Sequence, residues 1–267
     1  MRERIGIFDS GVGGLTVMRK IREKCPQESL VYYGDTARVP YGGKSAETIL
    51  RYTVESSAFL MEQNIKALVI ACNTASSYSL TRLKKIFNIP IVDVIGPGAE
   101  AATSATKNGR IAVLGTKATM ASGAYQRAIS QLLPQAFVLP VACPLLVPLV
   151  EERFHRHQAA ELIVKEYLKE VKRAEIDTVL LGCTHYPILA SLIQSELGKD
   201  IRLVDSASTC ANRLAQLLKE NKMEGKAPAE MRFFVSDDPE KFRLIGRDFL
   251  GEEILHCEAV LNELQAV

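Results

Sequence analysis

Ala67-Leu68-Val69-Ile70-Ala71-Cys72-Asn73-Thr74 and Asp177-Thr178-Val179-Leu180-Leu181-Gly182-Cys183-Thr184 read as two versions of one element. Each is an apolar run followed by a small residue, a cysteine and a hydroxyl or amide side chain. A short apolar run bounded by polar turn residues is how a buried strand of a parallel sheet reads. Both cysteines then fall where a strand ends and a helix begins. That carboxyl edge is where open α/β sheets bind ligands.

The rest of the chain fits around these stretches. Ile5-Gly6-Ile7-Phe8 forms a first strand, ended by Asp9-Ser10-Gly11-Val12-Gly13-Gly14, and Leu15, Met18 and Ile21 then recur at helical spacing. A second strand over 30–33 runs into a polar loop at 34–43, and Ser45 with Thr48 opens a long helix to about 64. Thr74 is expected to cap a helix striped by Leu80, Leu83 and Phe87. A short strand at 91–92 precedes Gly96-Pro97-Gly98, which reads as a hinge or boundary.

The pattern then restarts. Arg110-Ile111-Ala112-Val113-Leu114-Gly115-Thr116 aligns with Arg4-Ile5-Gly6-Ile7-Phe8-Asp9-Ser10, and Cys183 aligns with Cys72 at a similar offset. Between them lie a helix over 118–133, a strand over 137–141 and a charged helix over 158–172. Pro187 suits the first turn of a helix and Gly198 its end. Strands over 201–204, 231–235 and 254–257 alternate with two further helices. This alternation predicts an α/β fold of two pseudo-symmetric domains with mostly parallel sheets.

At 267 residues, with 47% hydrophobic and 24% charged, the composition is that of an ordinary globular protein of one or two domains. A formal charge of +2 gives no argument for nucleic acid or an anionic membrane. Met1-Arg2-Glu3-Arg4 leads into too short an apolar run for a secretory leader. The most apolar stretch, 136–150, holds three prolines and is shorter than the roughly 20 residues of a spanning helix. Six cysteines without a Cys-x-x-Cys pair read as reduced thiols, so a cytoplasmic location is expected.

A thiol at a helix N-terminus feels the positive end of the macrodipole. With other cations nearby this lowers its pKa from about 8.5 into the range of roughly 3.5–7.5. Two such thiols facing one cleft, one ionised and one protonated, make a two-sided acid–base device that takes a proton from a carbon and returns one to the opposite face. The bland reading, a small buried hydrophobe, suits most free cysteines. It is kept for Cys25, Cys143, Cys210 and Cys257, which lack polar followers, and set aside for the matched pair. No metal is expected, because neither Cys72 nor Cys183 has a second ligand at the right spacing.

Asp9 offers a carboxylate at the same edge, for a substrate ammonium or to hold a base; Ser10 offers a hydroxyl or a helix cap. Gly11-Val12-Gly13-Gly14 lacks dinucleotide spacing and reads as a tight turn letting backbone approach a small ligand. Pro40-Tyr41-Gly42-Gly43 presents N–H groups suited to a carboxylate. His185 adjoins Cys183 and suits tuning or relaying its proton, whereas His155 and His157 sit in a charged run that reads as a solvated helix start. Spacing alone does not select Glu151, which follows the proline-rich apolar segment.

At these motifs the chain closely resembles the glutamate racemases of the aspartate/glutamate racemase family, bacterial enzymes that supply D-glutamate for peptidoglycan. The resemblance is carried by Phe8-Asp9-Ser10-Gly11-Val12-Gly13-Gly14, Gly34-Asp35-Thr36-Ala37-Arg38-Val39-Pro40-Tyr41-Gly42, Cys72-Asn73-Thr74-Ala75 and Leu181-Gly182-Cys183-Thr184-His185-Tyr186-Pro187. It implies a racemisation that needs no cofactor. Cys72 matches the thiol that takes the α-proton of D-glutamate, and Cys183 the one that takes it from L-glutamate. Asp9 and His185 match residues assisting Cys72 and Cys183. Ser10, Tyr41, Gly42, Asn73, Thr74 and Thr184 match positions holding the substrate, with Thr116 and Thr119 as further carboxylate contacts. Glu151 matches a residue linked to the second half-site. The resemblance also implies that the site lies in the cleft between two pseudo-symmetric α/β domains and that the C-terminal segment returns to the first, so the expected division is 1–96 plus 208–267 against 97–207.

The expected partners are glutamate and a second copy of the chain in a homodimer, with no nucleic acid and no membrane. No lysine sits in a motif for pyridoxal phosphate, so donors around the substrate and water exclusion must ease the loss of a weakly acidic α-proton. Aspartate, hydantoin and maleate-isomerase-like enzymes are rivals within the superfamily. A two-lobed binder of small acids with inert cysteines, and a hydrolase using Cys183 and His185, are rivals outside it.

Overall fold

The computed structural model describes residues 4–225 and 229–260. Its strands are β1 (Arg4–Asp9), β2 (Ser29–Gly34), β3 (Ile65–Ile70), β4 (Ile91–Asp93), β5 (Arg110–Gly115), β6 (Phe137–Ala142), β7 (Thr178–Gly182), β8 (Arg202–Asp205), β9 (Met231–Val235) and β10 (Glu258–Ala259). They form two sheets, ordered β10-β9-β2-β1-β3-β4 and β6-β5-β7-β8. Every pairing is parallel. The segment β2-β1-β3-β4 recurs as β6-β5-β7-β8, so the weak repeat in the sequence is one topology used twice.

The cysteine strands behave as their apolar runs demand. All residues of β3 and of β7 are buried, because helices cover both faces of each sheet. The apolar core crosses from one half to the other, joining Ile7 and Val69 of the first sheet to Ala112 and Val179 of the second. Helix Ser206–Glu220 lies on the seam, packed against helix Leu15–Lys24 on one side and helix Ile95–Ala105 on the other. Strands β9 and β10 extend the first sheet, and helix Pro239–Leu250 packs against β9 and helix Leu15–Lys24.

Several local expectations differ from the structure. The helix expected over 118–133 breaks at Gly123, whose φ of +65° is the left-handed conformation glycine tolerates, giving Lys117–Ser122 and Ala124–Leu132. Gly96-Pro97-Gly98 is no hinge loop but the start of helix Ile95–Ala105, where proline's missing N–H has no intrahelical partner to lose. The last strand is Glu258–Ala259 rather than 254–257, because Ile254 is buried as a side chain against Gly246. Thr74 does not cap its helix; Cys72 does.

Candidate active site

The first half of the site hangs on the ends of β1 and β3. Cys72 is the N-cap of helix Asn73–Ile86, its Sγ accepting from Ala75 N at 3.5 Å and donating to Ser10 Oγ at 3.4 Å. Its pKa nevertheless moves opposite to the sequence expectation. Burial pushes the Cys72 thiol up to about 12, the Asp9 charge adds to the rise, and the contacts with the Ser10 hydroxyl and the Ala75 N–H offset only part of it. Asp9, fully buried, accepts from Gly11 N at 2.9 Å. Its own pKa is raised by burial, against the pull of His185 and of the Gly11 and Gly14 N–H groups.

The loop after β2 is pinned from behind. Asp35 accepts from Tyr41 Oη at 2.5 Å, Arg38 Nε at 2.6 Å and Ser236 Oγ at 3.0 Å. Because the Tyr41 phenol is committed to Asp35, backbone is what this turn presents to the cleft. Gly42 meets the second half so closely that an added Cβ would lie 2.8 Å from Thr116. Thr116 caps helix Lys117–Ser122, and its hydroxyl joins those of Thr74 at 2.9 Å and Thr119 at 2.9 Å.

In the second half, Cys183 follows β7 but opens onto the 3-10 turn Tyr186–Leu189 instead of an α-helix. Its cation is a neighbouring ring rather than a macrodipole: His185 Nδ1 lies 4.0 Å from the sulfur. His185 Nε2 is 2.8 Å from Glu151 Oε1. Burial pulls the imidazole pKa down, yet the pairings with Cys183 and Glu151 outweigh it and hold His185 up at about 10. Glu151 responds in kind: burial raises it, and the bond to His185 brings it below its ordinary value. Phe249 places its ring edge against His185, centroids 5.2 Å apart. The turn after β1 packs here too, since a Cβ on Gly13 would fall 2.2 Å from Thr184 Oγ1 and 2.4 Å from His185 Nδ1. That glycine therefore serves the close approach of two halves of the protein, not of backbone to a ligand.

Both cysteines open on one cavity of about 460 Å³. Ser10, Tyr41, Gly42, Asn73, Thr74, Thr116, Glu151, Thr184 and His185 line it with them. Asp9 and Thr119 do not reach the lining; they stand behind it, Asp9 within 3.5 Å of Thr184 Oγ1 and Thr119 within 3.1 Å of Thr74 Oγ1. Sequence reasoning passed over Lys117, Pro144, Val147 and Pro148, which also line the cavity. The available signal was the proline-rich apolar stretch leading to Glu151. For Phe249 there was none. The other four cysteines are free and lie outside the lining, and His157 caps helix Gln158–Arg173 on the surface. Among the described residues no cluster of three His, Cys, Asp or Glu side chains suits a metal, and no helix is long and apolar enough to cross a membrane.

Two like-wound halves, each offering a thiol to a shared cavity, define an isomerase of the racemase type. A sequence model of the Asp/Glu/Hydantoin racemase family matches residues 5–214, and the chain belongs to that family. The glutamate racemase of Geobacter metallireducens is 46% identical over 252 residues, covering 94% of this chain and 93% of the relative. A glutamate racemase isoform from Bacillus anthracis superposes with a TM-score of 0.94 at 39% identity, covering 97% of both chains. The Francisella tularensis glutamate racemase, solved in complex with D-glutamate, gives 0.93 at 38% identity over 98% of this chain and 99% of that one.

Proposed function

We propose that the protein interconverts L- and D-glutamate without a cofactor, by a two-base mechanism in which Cys72 and Cys183 flank the α-carbon. The single observation that supports this most is that both thiols line one cavity while standing on equivalent strands of the two halves. Cys72 takes the proton from D-glutamate and Cys183 takes it from L-glutamate, the opposite thiol returning one in each case. Asp9 serves the Cys72 side, and His185 with Glu151 serves Cys183. Ser10, Asn73, Thr74, Thr184 and the Tyr41–Gly42 backbone hold the substrate's polar groups, with the Thr116 and Thr119 hydroxyls supporting a carboxylate. Donors fixed around the carboxylate stabilise the charge that develops when the α-proton leaves. The product serves peptidoglycan synthesis in the cytoplasm, and the working form is a homodimer of chains divided as 1–96 plus 208–267 and 97–207.

Incubation with either enantiomer in D₂O, no cofactor added, should give α-deuteration together with loss of optical rotation. A binder of small acids gives neither, and a thiol hydrolase gives no inversion. Cys72→Ala and Cys183→Ala should each abolish racemisation with the fold intact. Near-normal turnover in either variant removes the two-base mechanism.

A further inference from the structure

Asn73 opens helix Asn73–Ile86 and lines the cavity while only 2% exposed. Its Nδ2 donates to Tyr125 Oη at 2.7 Å and to Ser206 Oγ at 3.4 Å. Neither partner belongs to the first sheet's early elements: Tyr125 sits in helix Ala124–Leu132 and Ser206 opens helix Ser206–Glu220 on the seam. Each hydroxyl has one proton, and each gives it to a main-chain carbonyl. Tyr125 donates to Val94 O at 3.5 Å and Ser206 to Leu181 O at 3.2 Å. Burial pushes the Tyr125 phenol well above its ordinary range, so that proton stays.

What both oxygens have left are lone pairs, and lone pairs accept only from the NH₂ end of a carboxamide. The amide is thereby held one way round, an orientation that follows from its partners. Its Oδ1 is left buried with no hydrogen-bond partner among the described residues. A buried acceptor without a donor destabilises a fold, and native proteins keep one where something else will fill it.

We propose that Tyr125 and Ser206 are positioning residues of the site, turning the Asn73 amide so that its oxygen receives the substrate's ammonium. The inference rests on the glutamate-racemising function proposed above and gives Asn73 a polarity within it. An amide free to turn would offer its NH₂ end to a carboxylate just as readily. Held as it is, the side chain selects a ligand with a cationic nitrogen over a plain dicarboxylate.

The test compares glutamate with glutarate, which has the two carboxylates and no ammonium. Tyr125→Phe and Ser206→Ala each remove a lone-pair partner with little change of shape. In the double variant KM for both glutamate enantiomers should rise about tenfold, the worth of one charge-assisted hydrogen bond. The inhibition constant of glutarate should stay within about twofold of wild type. Each single variant should show the same split at about threefold, which serves if the double variant does not fold. Equal weakening of glutamate and glutarate would mean a packing role and overturn the inference; so would no change in either. Racemisation by the wild-type protein in the same preparation separately tests the proposed function, so the two failures are distinguishable.

Discussion

Glu151→Gln should move the pH dependence of racemisation with little change in shape. Glutamine Oε1 can still accept from His185 Nε2, so the variant removes charge and keeps the 2.8 Å contact. His185 is held at about 10 against an ordinary 6.5, in the face of a burial penalty that works the other way. At about 1.4 kcal/mol per unit, that rise is on the order of 5 kcal/mol of imidazolium stabilisation, divided between Cys183 and Glu151. If Glu151 supplies roughly half, the variant's imidazole should titrate about 1.5–2 units lower, so kcat/KM should hold near neutral pH and fall ~30-fold by about pH 10, where half of the wild-type rings are still charged. Because L- and D-glutamate are mirror images with an equilibrium constant of one, both directions must fall by the same factor. A raised histidine adds stability in full below its ordinary 6.5, and loses it as pH climbs through about 10. The variant's loss window must therefore still open near 6.5 but close at lower pH, by about 8–8.5. Initial rates by circular dichroism across the alkaline range, with melting curves at the same pH values, read both effects. An alkaline limb that stays where it was would refute the coupling of Glu151 to His185.

Gly13→Ala should cut kcat/KM at least ~100-fold, since Thr184 and His185 must both retreat from the new Cβ and a shift of about 1 Å at reacting groups costs that much. Steady-state rates on a folded variant check it, and near-normal rates would show that the turn yields instead. For Asp9→Asn, the sign comes from a carboxyl whose folded pKa is raised by burial: the ionised form weakens the fold increasingly as pH rises. The variant should therefore lose activity, yet its melting midpoint relative to wild type should be higher at pH 8 than at pH 4. A difference independent of pH contradicts this. Thr119→Val removes one hydroxyl from the Thr74–Thr116–Thr119 cluster without touching the lining. KM should rise about 3–10-fold with kcat close to wild type, and a fall in kcat alone would argue against a supporting role.

The fold was legible where periodicity and burial agree. The runs ending at Cys72 and Cys183 could only be strands covered on both faces, and their matched contexts pointed to one topology used twice. Boundaries went astray where a single residue's conformation decides them, as at Gly123, whose left-handed turn splits a helix that apolar spacing had joined. Most of the lining came from motifs contiguous in sequence. Tyr125, Ser206 and Phe249 were illegible because their roles arise from contacts across the seam, 52, 133 and 64 positions from Asn73, Asn73 and His185 respectively. The chemistry of Cys72 was misread in direction: the positive end of a helix was expected to dominate there, and burial beside Asp9 outweighs it.

That misreading matters, because the two halves share a strand order but not the surroundings of their sulfurs. Cys72 faces a hydroxyl, a main-chain N–H and the charge of Asp9, and its burial together with that charge keeps it a neutral thiol at physiological pH. Cys183 faces an imidazolium whose own charge is balanced by Glu151. A site with two identical thiols would have no reason to prefer one proton arrangement over its reverse. Unequal surroundings choose one: a proton on Cys72 and a cation beside Cys183. On the proposed mechanism this form is ready for L-glutamate, with Cys183 as base and Cys72 as donor. Turnover leaves the protons in the disfavoured arrangement, which relaxes by exchange with solvent or by accepting D-glutamate. Asp9 lies within reach of both halves, raising Cys72 while it feels the His185 charge, so one buried carboxylate biases both arrangements. Broken symmetry of this kind cannot alter the equilibrium between mirror images. It can only divide one value of kcat/KM differently between binding and turnover for the two enantiomers.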